Sequence, residues 1–117
     1  MRFLLLENGR IMDGKKTVVI DNCVPCFEMQ KDGTSTISKI KVIYEDNSLE
    51  MVKQKLIEYC EGKNKVEVAL WVKNIKNNIC VNPLKKGLKI SNQITKENLI
   101  VQLINLNEMF LNGEYLM

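Results

Sequence analysis

Two stretches of the chain alternate apolar and polar residues with period two, the spacing of a strand that buries one face. In residues 34–45, Ile40, Val42 and Tyr44 alternate with Lys39, Lys41 and Ile43, and the β-branched content favours a strand. In residues 65–73, Val66, Val68, Leu70 and Val72 alternate with Lys65, Glu67, Ala69, Trp71 and Lys73, which predicts a second half-buried strand with Trp71 on its polar side. Residues 74–78 then read as a turn and residues 79–81 as a short returning strand.

Turn signals divide the first quarter of the chain. Asn8-Gly9 and Asp13-Gly14 separate apolar runs, so residues 2–7, 10–12 and 16–21 are expected to form a strand meander through type I′ turns. Residues 22–26 read as a loop and residues 27–30 as a short strand closed by Lys31-Asp32-Gly33. Further on, Asn82-Pro83 and Lys85-Lys86-Gly87 break the chain before a last short strand at residues 88–91.

Helical spacing appears twice. After the capping residues Asp46-Asn47-Ser48, with Glu50 three beyond Asn47, the residues Leu49, Val52, Leu56, Tyr59 and Cys60 form one stripe that stops at Gly62. Thr95 caps a second helix, in which Leu99, Ile100, Leu103, Ile104, Leu106, Phe110 and Leu111 make a wide apolar face ending at Asn112-Gly113. Strands interleaved with two separated helices give an α+β expectation. It is a two-layer domain with a mainly antiparallel sheet and two helices, about 48–61 and 96–112, on one face, and a single domain over residues 1–117.

Composition narrows the chemistry. The chain has 117 residues, four cysteines and no histidine, so histidine-dependent nucleophile systems and imidazole-ligated metals are excluded. The six glycines are isolated and match no nucleotide-binding loop, and the carboxylates are scattered over turns with no paired spacing. The apolar run at Phe3 to Leu6 ends at Glu7, too short for a signal-peptide core, and no apolar stretch approaches the roughly 18 residues of a membrane span. The expected location is the cytoplasm, with reduced thiols. Lysine outnumbers arginine 15 to 2, and a richness in Ile, Lys and Asn matches A/T-rich codon usage, which points to a low-GC bacterium or phage.

The net charge of +3 is uneven, because residues 51–96 carry 10 basic and 3 acidic groups. Lys73, Lys76, Lys85, Lys86 and Lys89 fall around the expected second hairpin, near Trp71. A rigid aromatic rimmed by lysines would anchor a protein partner or stack on a base. Cys23-Val24-Pro25-Cys26 is the one sequence with thiol spacing. It has the x-P-C form of a redox pair but lacks the long helix after the second cysteine that such pairs require, since Lys31-Asp32-Gly33 follows within seven residues. Two thiolates two residues apart are also half a zinc site, but Cys60 lies on the first helix's apolar stripe and Cys80 stands alone.

The leading expectation is a small non-enzymatic intracellular binding protein, accessory or inhibitory, without cofactor or metal. Its expected partner is a protein, met through Trp71, Lys73, Lys76, Lys85, Lys86 and Lys89. Nucleic-acid binding by the lysine-rich middle is the second expectation, and thiol-redox or zinc chemistry at Cys23 and Cys26 the third. No membrane partner is expected, and the broad apolar face of the C-terminal helix suits a homodimer.

Overall fold

A computed structural model describes residues 2–29, 34–79 and 94–113. Among these, four antiparallel strands and three helices follow the order β1 (Phe3–Leu6), β2 (Ile11–Asp13), β3 (Cys23–Met29), β4 (Ser35–Asp46), α1 (Leu49–Glu61), α2 (Lys65–Ile79) and α3 (Lys96–Leu111). The fold is α+β, as the patterning predicts. By internal packing the chain forms two compact units, Met1–Leu56 and Ile57–Met117.

The first unit is built on one sheet of order β2-β1-β4-β3. β1 and β2 are joined through a tight loop in which the Gly9 amide donates to the Leu6 carbonyl and Leu6 to Arg10, with Gly9 at φ 81°. This is the three-residue hairpin with a left-handed glycine, not the expected type I′ turn at Asn8-Gly9. A turn with positive φ at both central residues does occur, at Asp21 (53°) and Asn22 (61°), where Ile20 and Cys23 exchange both backbone hydrogen bonds. Asp and Asn tolerate that conformation because their short polar side chains bond locally. The expected strand at 16–21 reduces to this single bridge at Ile20.

β4 was legible almost to the residue, and its inner side holds Ile40 and Val42 while Lys39, Lys41 and Ile43 face out. Between Leu5 and Leu6 the β1–β4 register slips by one, which leaves Ile43 as a bulge. β3 runs through the segment expected as a loop. Proline is tolerated there because β3 is an edge strand. Asn22 accepts from Val42 and Cys23 bonds back to Ile20, so by alternation Pro25 turns its missing donor away from β4.

Leu4, Leu6, Val24, Cys26, Ile40 and Val42 form one buried cluster, with Met12 and Val19 partly buried against it. Each of its large aliphatic members contributes about 1.5–3 kcal/mol by leaving water. Phe3, Leu5 and Ile11 point to the opposite side of the sheet and are buried as well, so β1 is covered on both faces.

α1 begins at Ser48, whose hydroxyl accepts from the Met51 amide while Asp46 accepts from the Ser48 amide, and it buries Val52, Leu56 and Cys60. Its start and stripe agree with expectation. α3 starts at Thr95, which accepts from the Asn98 amide, and ends at Asn112-Gly113 with Gly113 at φ 71°. Leu99 and Leu103 are buried, followed on the same side by Asn107, whose amide donates to the Leu103 carbonyl.

The strand expected at residues 65–73 is α2, a helix, and the expected turn at 74–78 lies inside it. Asn64 accepts from the Glu67 amide and donates to the Glu67 carboxylate, a reciprocal cap. The apolar residues then divide by helical rather than alternating period. Val68, Val72 and Ile75 are buried, whereas Val66 and Leu70 are exposed. Burying three aliphatic side chains at about 1.5–3 kcal/mol each outweighs the few tenths per residue that β-branched residues cost a helix. α2 and α3 pack on each other, and Lys76 reaches Gln102 at 3.4 Å. The strands expected at 79–81 and 88–91 lie outside the described residues, apart from Ile79 at the end of α2.

Candidate docking face

Of the residues expected to form a partner site, Trp71, Lys73 and Lys76 are described, and Trp71 does not share a surface with the two lysines. Trp71 stands on a helix, so it is not on the outer surface of a sheet. Its ring stacks on Tyr59 at a centroid separation of 5.2 Å and an interplanar angle of 11°, and Lys63 covers Tyr59 at 5.1 Å. Lys63 also meets the Glu67 carboxylate at 3.9 Å. The half-buried indole thus locks α1 to α2 in the second unit. Lys73 is exposed but lies about 200° around the helix from Trp71 at about 100° per residue, so a partner on one would miss the other. Lys76 is drawn toward Gln102. Lys85, Lys86 and Lys89 lie outside the described residues.

The lysines of α1 are engaged too. Lys53 pairs with Glu50 at 3.2 Å, and Lys55 sits over the Tyr44 ring at 5.5 Å. At the end of α1, Lys96 donates to the Glu61 carbonyl at 3.1 Å, where a cation complements the helix C-terminus.

Cys23 and Cys26 belong to a strand rather than a loop. Three residues apart on an extended chain, they point to opposite faces with Cα atoms about 10 Å apart, beyond the roughly 7 Å that a disulfide spans. The same separation prevents them from holding one tetrahedral metal ion together. Cys26 is buried in the sheet's core cluster and Cys23 is half-buried. Cys60 is fully buried on α1, as its place on the stripe implies, and burial pushes its thiol up to about 11. Cys80 lies outside the described residues.

Arg10, which no pattern marked, is buried on the cluster side of the sheet, opposite Leu6 and in the electrostatic reach of Cys26. Removal from water pulls its guanidinium below the ordinary value. Asn8, also buried, accepts from the Arg10 amide and fixes the turn.

What the register does assemble is a mixed apolar and basic surface. Directly paired residues in antiparallel strands project to one face. Ile20, Cys23 and Lys41 therefore form one row, Pro25 and Lys39 the next, and Ile37 continues the line along β4. Ile20 is 58% exposed and Ile37 65%, and Pro25, Lys39 and Lys41 are exposed beside them. This side continues the one that carries Phe3, Leu5 and Ile11, so the same face is buried at the β1 end and open at the β3–β4 end. At the border toward β1, the Glu7 amide donates to the Lys41 carbonyl at 2.9 Å, and the β1–β4 register sets Glu7 opposite Lys41.

Sequence reasoning missed this face because it depends on pairings between Ile20, Cys23 and Lys41 that span separate segments. The alternation of Ile37, Lys39 and Lys41 was the one local signal for it. Comparison with known protein families, curated proteins and solved structures gives no match. No described helix is long and apolar enough to cross a membrane.

Proposed function

We propose that this chain is a small non-enzymatic binding protein that engages a protein partner through the open face of the β3–β4 hairpin. In this reading it is an accessory or inhibitory protein working in a reducing cytoplasm, in a low-GC bacterium or its phage. The observation that carries it is the clustering of exposed Ile20, Pro25 and Ile37 with Lys39 and Lys41 on one sheet face. A single exposed aliphatic residue needs no explanation, but several in adjacent rows of one sheet keep apolar area in water that a partner would remove. Lysines at the margin add steering and register rather than bulk affinity.

The test is photo-crosslinking in the source cell, with a benzoylphenylalanine at position 37 and a control at Gln54, exposed on α1. The expected result is one discrete adduct with a different protein from position 37, competed away by excess unmodified chain. No adduct, the same adduct from position 54, or adducts made only with nucleic acid or a second copy of the chain would overturn the reading.

A further inference from the structure

We infer, independently of the binding reading above, that Pro25 is a stop that holds residues 17–19 as an unpaired strap beside β3. The strap is one bonded pair short of extending into a fifth strand, and the stop keeps it from becoming an edge on which a second copy of the chain could pair.

The strap has the makings of a strand. Thr17-Val18-Val19-Ile20 is an unbroken β-branched run, and such side chains suit a pleated surface. It leads into the turn with positive φ at both Asp21 and Asn22, closed by Ile20 and Cys23 through two backbone hydrogen bonds of 2.9 and 3.0 Å. That is a nucleated two-residue hairpin, whose twist favours continued pairing. Its side chains already keep strand phase. Val18 is 65% and Ile20 58% exposed, whereas Thr17 is half-buried and Val19 lies against the cluster that contains Val24. Yet the bridge between Ile20 and Cys23 is isolated, and no backbone hydrogen bond joins Val18 to Pro25.

The ladder fails where it meets the proline. Bonded pairs in an antiparallel hairpin recur at every second residue, so the pair after Ile20 and Cys23 is Val18 with Pro25. Pro25 has no amide to donate to the Val18 carbonyl, and its ring occupies the side from which that carbonyl would approach. Upstream, the Lys16 amide donates to the Asp13 carbonyl at 3.1 Å. The strap is therefore pinned at both ends and unpaired between them.

The stop bears on association. A paired strap would replace β3 as the outer strand of the sheet and present its free main-chain groups from four uncharged β-branched residues. Such a segment is a template for edge-to-edge pairing of identical chains. Left unpaired, it offers no regular row of donors and acceptors, and the proline itself interrupts the row on β3.

The test is amide hydrogen exchange and sedimentation on the full chain, on Pro25→Thr, and on Pro25→Thr with Val18→Pro, which moves the proline to the other member of the same pair. In the native chain the Val18 amide is expected to be protected at least about tenfold less than the Cys23 amide. Pro25→Thr should raise Val18 protection at least about tenfold and produce association that grows with concentration beyond that of the native chain. The double substitution should return association to the native level.

A native Val18 amide as protected as that of Cys23, or a folded Pro25→Thr chain with Val18 protection unchanged, would overturn the stop. The native contrast needs no substitution and decides the matter even where Pro25→Thr does not fold. A paired strap without added association, or association that the double substitution leaves in place, would overturn the role against a second copy.

Discussion

The two faces of the β3–β4 hairpin are made by alternate residues of the same two strands, yet they have opposite fates. Val24, Cys26, Ile40 and Val42 are buried at 1–7% exposure in the sheet's core cluster. Pro25, Ile37, Lys39 and Lys41, each one residue away from a member of that cluster or its line, are exposed. Composition does not separate them, since both sides carry aliphatic side chains. What separates them is that the inner side curls onto Leu4, Leu6, Met12 and Val19 and the outer side is left open beyond β1. Stability and recognition are thus assigned to the two phases of one period-two pattern.

The largest effect belongs to the closed side. Leu4→Ala removes a fully buried side chain from the cluster and is expected to cost about 2–5 kcal/mol in urea unfolding. A loss below about 1 kcal/mol would mean the cluster is not the core of the first unit.

The second effect is a pH dependence in the helices, where burial is equally strict. Cys60 is held protonated, its thiol raised from 9.0 to about 11 chiefly by removal from water. A raised folded value stabilises the fold only while the thiol keeps its proton. Unfolding therefore releases a thiol that ionises more readily, and stability should fall as pH rises from about 9 to about 11. Urea midpoints across that window should decline more steeply for the native chain than for Cys60→Ala, and equal slopes would remove Cys60 from the interior.

Third, Asn64→Ala takes away the reciprocal cap with Glu67 and is expected to cost about 1 kcal/mol, with helicity lost from α2. Smallest of all, Ile37→Ser should leave stability within about 0.5 kcal/mol, because that side chain is already 65% in water. A large destabilisation by Ile37→Ser would erase the contrast between the faces.

The helix α2 shows why part of the fold was not legible. Val66, Val68, Leu70 and Val72 fit a strand by alternation, while Val68, Val72 and Ile75 fit a helix by spacing, and a short apolar stretch carries both patterns. The deciding signal was present but local and small, Asn64 with Glu67 three residues on. By contrast β4, α1 and α3 each combined one unambiguous period with a cap or a turn, and their bounds followed. On a strand Trp71 would stand on the polar surface, whereas on a helix the same residue is half-buried against Tyr59. Cys23 and Cys26 drew attention as a chemical spacing, whereas Pro25 between them marked an edge strand. The open face has a single local signal, the alternation of Ile37, Lys39 and Lys41, because the rest of it exists only once Ile20 bridges to Cys23 and Cys23 pairs with Lys41.

The most direct test of the division between faces is a photo-crosslinking scan along β4 in the source cell, placing the reactive residue at positions 36, 37, 38, 39 and 41. Thr36 is exposed and Ser38 half-buried, and both project to the side opposite Ile37. A docking face on the open side predicts adducts with one protein from positions 37, 39 and 41 and none from 36 and 38. Adducts of similar yield from both phases, or from 36 and 38 alone, would contradict it.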